Sequence, residues 1–158
     1  ILRRLLLVNR NKKAKIDGTL IYNDGTLMLR SALLTDAAPF VRYGWEKIGH
    51  LSLEKMNQLI RIQKAEIQKR QNDESKLSMT ILENGQVIGV LETEETGEVS
   101  DEAWVEIYFP CSNDKNKKAK VVEAFIKLMK DTYFYEKIYV YRTEDTSKFD
   151  VDTYEIFN

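Results

Sequence analysis

The chain has 158 residues, with 24 Lys+Arg against 25 Asp+Glu and a formal net charge of −1, so neither nucleic acid nor an anionic membrane surface is favoured as a partner. Its hydrophobic fraction of 43% and its single cysteine, Cys111, indicate a globular protein of a reducing compartment and exclude an internal disulfide or thiolate metal site. We therefore expect one domain over residues 1–158, located in the cytoplasm, with no metal ion and no membrane contact.

The first thirty residues predict a small β-meander. Leu2–Val8 is apolar and strand-like, and a basic loop follows it. Asn23-Asp24-Gly25 separates two further short strands, with glycine where a hairpin turn needs a positive φ. We assign residues 1–26 to an N-terminal β extension and residues 27–142 to the core.

Two helices are predicted next. Thr35 and Asp36 suit the N-terminus of the first helix, and Gly44 and Gly49 are expected to weaken it and to end it. Ser52 begins a longer helix, whose apolar positions recur at helical spacing and are Leu53, Met56, Ile60 and Ile67. Its solvent-facing side is predicted to carry Lys55, Arg61, Lys64, Lys69 and Arg70.

The remainder of the core alternates strands with one helix. Leu77–Leu91 reads as a hairpin about Asn84-Gly85, and Ala103–Phe109 reads as a third strand. A helix from about Asn116 to Lys130 then leads to a strand at Ile138–Tyr141, which makes the last two strands parallel through a right-handed crossover. This order predicts an α+β fold with a central, mostly antiparallel sheet, one parallel strand pair and helices on both faces. Residues 143–158 form a short C-terminal segment with at most a strand around 154–157.

Several kinds of chemistry are excluded by residue type. With His50 as its only histidine, the chain has no two-histidine metal site, and it carries no glycine-rich phosphate loop. The most informative stretch is 107–122, where a strand stops at Pro110 and a helix opens among four lysines. Free N–H groups at a helix start bind anions, and nearby ammonium groups add attraction. The alternative interpretation is a solvated basic loop before an amphipathic helix.

The order of elements from residue 27 to residue 142 resembles the GCN5-related N-acetyltransferase superfamily. Residues 30–40 resemble its first strand and first helix, and the hairpin, strand, helix and strand that follow have the same order. The resemblance implies an acyl-CoA N-acyltransferase-like fold. It also implies acetyl-CoA as acyl donor and a small-molecule or protein amine as acceptor. The alternative is a non-catalytic domain of the same fold that has lost acetyl-CoA binding and serves in binding or assembly.

The resemblance also implies a cofactor site. The strand before the main helix would offer the backbone of Ile107 and Phe109 to the pantetheine arm. The helix opening would cradle the pyrophosphate through Asn116, Lys117, Lys118, Ala119, Lys120 and Val121. This stretch lacks the glycines of the family pattern Gln/Arg-x-x-Gly-x-Gly/Ala, which let the backbone come close to the phosphates. Its lysines would instead attract the phosphates through their positive charge.

Catalysis in the resembled family needs a base, and the resemblance implies Glu106 or Glu92 for that role. Tyr141, and with it Tyr154, is a candidate acid for the departing thiolate. Because Val105 and Ile107 read as the buried pair of their strand, Glu106 is expected on the less apolar face. The alternative is a solvated acidic surface, since residues 92–106 carry no Lys or Arg and contain Glu92, Glu94, Glu95, Glu98, Asp101, Glu102 and Glu106.

The first fifteen residues hold no acid and six cations, namely Arg3, Arg4, Arg10, Lys12, Lys13 and Lys15. Nucleic-acid binding is disfavoured because no aromatic residue interrupts the basic loop as a base-stacking surface would require. We expect either a solvated loop or a contact with the chain's own acidic segment in a homodimer.

Overall fold

In the part of the chain that the structure describes, seven strands form one sheet whose order follows the order of the chain. A computed structural model describes residues 21–48, 52–73, 76–95, 102–109, 114–132, 137–141 and 154–157, so the predictions for 1–20, His50 and Cys111 lie outside the described residues. The strands are β1 (Ile21–Asn23), β2 (Leu27–Ser31), β3 (Lys76–Glu83), β4 (Gln86–Glu95), β5 (Glu102–Tyr108), β6 (Lys137–Tyr141) and β7 (Tyr154–Phe157).

Among the described residues, three α-helices accompany the sheet, and they are α1 (Ala37–Ile48), α2 (Leu53–Gln71) and α3 (Lys115–Thr132). A short 3-10 turn, Leu34–Asp36, leads into α1, which continues through Gly44 to Ile48, so Gly44 does not end the helix. Ser52 caps α2 as predicted, because its hydroxyl accepts a hydrogen bond of 3.1 Å from the Lys55 N–H.

The strand pairings confirm the predicted mixed sheet. Strands β1 to β5 pair antiparallel in sequence, and β5 pairs parallel with β6 after the α3 crossover. Strand β7 adds a second parallel pair beyond the one predicted, from Ile138–Tyr154 to Tyr141–Phe157. The predicted turns also form, with φ of 96° at Gly25, 50° at Asn84 and 81° at Gly85.

The main core lies between the sheet and α3. Leu77, Met79 and Ile81 alternate along β3 with no exposed surface, and they cluster with Phe125 and Met129 of α3. This confirms the prediction that the hairpin strands and β5 are central and that the main helix packs on them through its apolar face.

The opposite face of the sheet carries α1 and α2. Arg30 and Thr80 are register partners on this face, and both bind the carboxylate of Asp36. Helix α2 is buried through Met56 and Ile67 as predicted. Leu53 departs from the prediction: it is the first residue of α2 and is 66% exposed.

No helix in the parts of the chain that the structure describes is both long enough and apolar enough to cross a membrane.

Candidate functional site

Strands β5 and β6 pair over only part of their length. Their pairing runs from Glu102–Lys137 to Val105–Val140, whereas β5 continues to Tyr108 and stays paired with β4 as far as Val90–Tyr108. Within the described residues, the backbone of 106–108 therefore has a strand neighbour on its β4 side and none on its β6 side. A strand edge without a strand neighbour can pair its main-chain groups with an extended ligand.

The two residues predicted to line the pantetheine arm turn their side chains towards the core. Ile107 and Phe109 are half-buried and pack against the core cluster below the sheet. Gly89 leaves space for the Phe109 ring, because a Cβ on Gly89 would lie 2.5 Å from Phe109 Cδ1 and 2.7 Å from the Tyr108 carbonyl oxygen. What Ile107 and Phe109 can offer a ligand is therefore their backbone.

The start of α3 is capped by a carboxylate. The Lys117 N–H donates a hydrogen bond of 3.0 Å to Asp114 Oδ1, and the Lys118 N–H donates one of 3.0 Å to the Asp114 carbonyl oxygen. This cap places a negative charge at the helix end that favours anions. A phosphate group would have to approach beside Asp114 or displace it.

The remaining residues predicted for the pyrophosphate divide into two sets. Ala119 and Val121 are buried in the core under the sheet, and their N–H groups lie beyond the first turn of α3. Asn116 and Lys120 are exposed, and the Lys117 ammonium lies 3.3 Å from Glu83 Oε1. The side chains that face solvent at this helix start are thus polar or cationic.

The face of the sheet beside the gap is acidic. Glu92 of β4 and Glu106 of β5 are register partners and both are half-buried, so Glu106 lies on the face opposite Val105, as predicted. Directly opposed side chains on neighbouring strands have Cβ atoms about 5 Å apart, a distance at which two carboxylates repel. The fold therefore needs a cation near this pair.

Arg70 of α2 supplies that cation. Its guanidinium lies 3.0 Å from Glu92 Oε2 and 3.1 Å from Glu66 Oε1, and its side chain is only 15% exposed. The prediction that Arg70 faces solvent is therefore wrong. Arg70 follows the buried Ile67 by three residues, so helical spacing places it on the same stripe, and that spacing was the signal that could have identified it.

Burial raises the pKa of Glu92 above its ordinary value. The positive charges of Arg70 and Lys76 oppose this rise, and the negative charges of Glu66 and Glu106 add to it. A carboxyl group of this kind takes up a proton more readily than an exposed glutamate does.

Aromatic side chains flank Glu106 on the same strand face. Trp104 stacks on Tyr139 with ring centroids 5.2 Å apart, and Tyr108 is 45% exposed. Tyr141, the predicted acid, is the last residue of β6, one position beyond the final β5–β6 pair, and Tyr154 is the first residue of β7. In the segments that the structure describes, no group of His, Cys, Asp and Glu is arranged to hold a metal ion.

Comparisons with known proteins connect this geometry to one fold. No family model and no curated protein sequence matches the chain. Among solved structures, it is similar to the microcin C7 self-immunity acetyltransferase MccE in complex with acetyl-CoA and AMP (TM-score 0.54, 14% identity, 72% of this chain and 67% of that one). It is also similar to RimL, a ribosomal L7/L12 alpha-N-protein acetyltransferase in complex with coenzyme A (TM-score 0.53, 14% identity, 69% and 67%).

A third similar structure is a GCN5-related N-acetyltransferase from Brucella melitensis (TM-score 0.52, 10% identity). The match covers 73% of this chain and 57% of that one. These likenesses confirm the predicted acyl-CoA N-acyltransferase-like fold. At identities of 10–14% they establish the fold alone.

Proposed function

Because the chain has the fold of the GCN5-related N-acetyltransferases, we propose that it transfers an acetyl group from acetyl-CoA to an amine of a small molecule or protein. The observation that carries the proposal is the gap between β5 and β6 after Val105–Val140, with Glu106 at its edge. MccE and RimL, which share the fold, are structures with acetyl-CoA and coenzyme A bound. The single cysteine agrees with a reducing, cytoplasmic location.

In this proposal the backbone of Ile107 and Phe109 holds the pantetheine arm, and Asn116, Lys118 and Lys120 face the phosphates. Bound acetyl-CoA supplies the thioester that is cleaved. Glu106 accepts a proton from the acceptor nitrogen, directly or through one water, so that the nitrogen lone pair is free to attack the acyl carbon. Tyr141 is the candidate donor of a proton to the departing thiolate.

Acetyl-CoA binding is the first test. A ligand that binds only the folded state stabilises it by about 2.7 kcal/mol at one hundred times its Kd. We expect urea denaturation with and without acetyl-CoA to show this increase, and thiol release to appear with at least one amine of a panel of polyamines, amino acids and peptides. An unchanged urea midpoint at millimolar acetyl-CoA would contradict the proposal.

A non-catalytic binding domain of the same fold is the second candidate, and the cap of α3 favours it. The Asp114 carboxylate and the absence of glycine in 116–121 oppose close approach of a pyrophosphate. This candidate predicts neither stabilisation by acetyl-CoA nor turnover with any amine.

The lysines of α3 give a further prediction. If Lys117, Lys118 and Lys120 attract the phosphates, replacing all three by glutamine should weaken acetyl-CoA binding by about 3- to 150-fold, from about 0.2–1 kcal/mol for each exposed charge pair. The salt dependence of binding should fall with the affinity. Titration calorimetry at low and high salt measures both.

Lys127→Gln is the matched control for the triple variant, because Lys127 is 61% exposed on the same helix and far along it from the helix start. It should bind acetyl-CoA like the parent. Equal affinities for the parent and the triple variant at both salt concentrations would show that the three lysines are solvated side chains with no part in acetyl-CoA binding.

A further inference from the structure

The end of β5 packs against β4 at a glycine, and this contact carries an inference that rests on the proposed function and deepens it. The last pair of the two strands is Val90–Tyr108, so Gly89 and Phe109 are the next residues in the same register. An ideal Cβ on Gly89 would lie 2.5 Å from Cδ1 and 2.9 Å from Cε1 of the Phe109 ring. The ring therefore lies over the glycine, as aromatic side chains do when they cover a glycine on a neighbouring strand.

The main chain of β5 comes close to β4 at the same place. The ideal Cβ of Gly89 would lie 2.7 Å from the Tyr108 carbonyl oxygen, so this oxygen points towards β4. Consecutive residues of a strand turn their N–H and C=O groups to opposite sides, so the main-chain groups of Ile107 point away from β4. On that side lies the gap that begins after the last pair of β5 with β6.

Strand β4 is irregular next to this glycine. Its register with β3 passes from Leu82–Val87 to Ile81–Gly89. Ile88 is the extra residue between these pairs and forms a β-bulge immediately before Gly89. Ile88 is buried in the main core, and packing therefore fixes the bulge. A bulge increases the local twist and re-aims its neighbours, so two features of β4 change its course opposite the end of β5.

A side chain at position 89 would push the end of β5 off β4. Carbon atoms in contact lie about 3.5–4.0 Å apart, so neither the Phe109 ring nor the Tyr108 carbonyl could stay in place beside a Cβ. The carbonyl belongs to the backbone and cannot turn away by a change of rotamer. The peptide between Tyr108 and Phe109 would therefore move away from β4, which is towards the gap, and the main-chain groups of Ile107 would turn with it.

We propose that Gly89, covered by the Phe109 ring, is a positioning residue for the acyl-CoA site. By leaving room for the end of β5, it keeps β5 apart from β6 and directs the main-chain groups of Ile107 towards the pantetheine arm. Gly89 acts through the position of β5 and not by contact with a substrate. Its effect is on the binding of acetyl-CoA and not on the proton transfers.

The first test is the Kd for acetyl-CoA of the parent and of Gly89→Ala, measured by titration calorimetry. One hydrogen bond changes an equilibrium constant by about 2- to 13-fold, so loss of both Ile107 main-chain groups should weaken binding by about 5- to 150-fold. An equal Kd in the parent and in Gly89→Ala would overturn the proposal.

Ile67→Val is the control for a general loss of stability. It shortens a buried side chain of α2 that packs in a separate cluster with Ala32 and Ala37. This variant should bind acetyl-CoA like the parent, although it destabilises the fold. Weakening of the same size in Ile67→Val and Gly89→Ala would mean that stability alone sets the affinity, and the proposal would be wrong.

The second test needs no ligand. In Gly89→Ala, amide hydrogen exchange should accelerate at the Val90–Tyr108 pair more than at Met79 in the middle of β3, because local opening precedes global unfolding. A change that only destabilises the fold accelerates exchange at both places by the same factor, as expected for Ile67→Val. Equal acceleration at the two places in Gly89→Ala would contradict the proposal.

Phe109→Ala covers the case in which Gly89→Ala does not fold, since it removes the ring and adds no atom to β4. Exchange at the Val90–Tyr108 pair should then accelerate, and acetyl-CoA binding should weaken. Phe109→Tyr keeps an aromatic ring at this half-buried position and should preserve both properties. Exchange and Kd in Phe109→Ala that equal those of the parent would overturn the proposal.

Steady-state kinetics separate a positioning role from a catalytic one. In Gly89→Ala the KM for acetyl-CoA should rise with the Kd while kcat stays unchanged, the pattern of a lost binding interaction. A lower kcat at an unchanged KM would contradict the proposal. The two failures are distinguishable: absence of acetyl-CoA binding by the parent contradicts the proposed function, whereas amide exchange in the ligand-free proteins tests the role of Gly89 by itself.

Discussion

Replacing Asp36 by alanine is expected to destabilise the fold by about 3–5 kcal/mol, the usual cost of removing one partner of a buried ion pair. Arg30 binds the Asp36 carboxylate through both terminal guanidinium nitrogens, at 2.6 and 2.7 Å, and Thr80 Oγ1 donates to it at 2.7 Å. The Leu33 N–H adds a fourth hydrogen bond of 2.8 Å. Urea denaturation at pH 7 measures the loss.

The double variant Arg30→Met/Asp36→Leu is the control, because it removes both charges and keeps similar volume. It should recover most of the stability, since a buried ion pair replaced as a whole by apolar side chains is often neutral. Equal destabilisation of the single and the double variant would contradict this account and point to packing instead of charge.

The same contacts make the contribution of Asp36 to stability depend on pH. Burial acts to raise the pKa of Asp36, but the hydrogen bonds from Arg30, Leu33 and Thr80 outweigh it and hold the pKa below its ordinary value. The stability that ionised Asp36 gives to the fold is therefore fully present above the unfolded-state pKa of about 3.9, and it is lost as the pH falls through the folded-state pKa. The difference in stability between the parent and Asp36→Ala should narrow accordingly on acidification.

Replacing Glu106 by glutamine is expected to lower kcat by about 10²–10⁴-fold, the usual contribution of a general base. Glutamine keeps the size of the side chain and removes the proton acceptor, so folding and acetyl-CoA binding should change little. Steady-state kinetics and acetyl-CoA titration of the same preparation separate these effects.

Glu94→Gln is the matched control for that variant. Glu94 lies exposed on β4, two residues from Glu92 on the same strand face, and its loss changes the local charge by the same amount. Its kcat should remain within about twofold of the parent, as expected for a surface change. A loss below tenfold in Glu106→Gln, or equal losses in the two variants, would remove Glu106 as the base.

Most of the fold was predictable because its signals are local. The alternation of Leu77, Met79 and Ile81 and the turn at Asn84-Gly85 fix the central hairpin, and helical spacing identifies the buried side of α3. The pairing of β7 beside β6 was not predictable, since four residues of strand propensity do not specify a neighbour or a direction.

The site was predictable only in part, because its key contacts join distant segments. The strand alternation placed Glu106 on the more polar face, but no local pattern pairs Glu92 with Arg70, 22 residues away along the chain. The same holds for Asp36, which was predicted only to suit a helix start and is the buried partner of Arg30. Charged residues are buried where tertiary structure supplies partners, and the sequence does not show those partners.

The match between strand order and chain order has a consequence for folding. Strands β1 to β2, β3 to β4 and β4 to β5 are joined by short connections, so their pairings close small loops at little entropic cost. Strand β6 joins β5 only after the whole of α3 has crossed the sheet, and β7 depends on β6. The parallel edge is thus the part of the sheet expected to form last and to open first in local unfolding. A ligand held between β5 and β6 would bind where local unfolding is easiest. Binding of that ligand would slow amide exchange at this edge more than in the central hairpin.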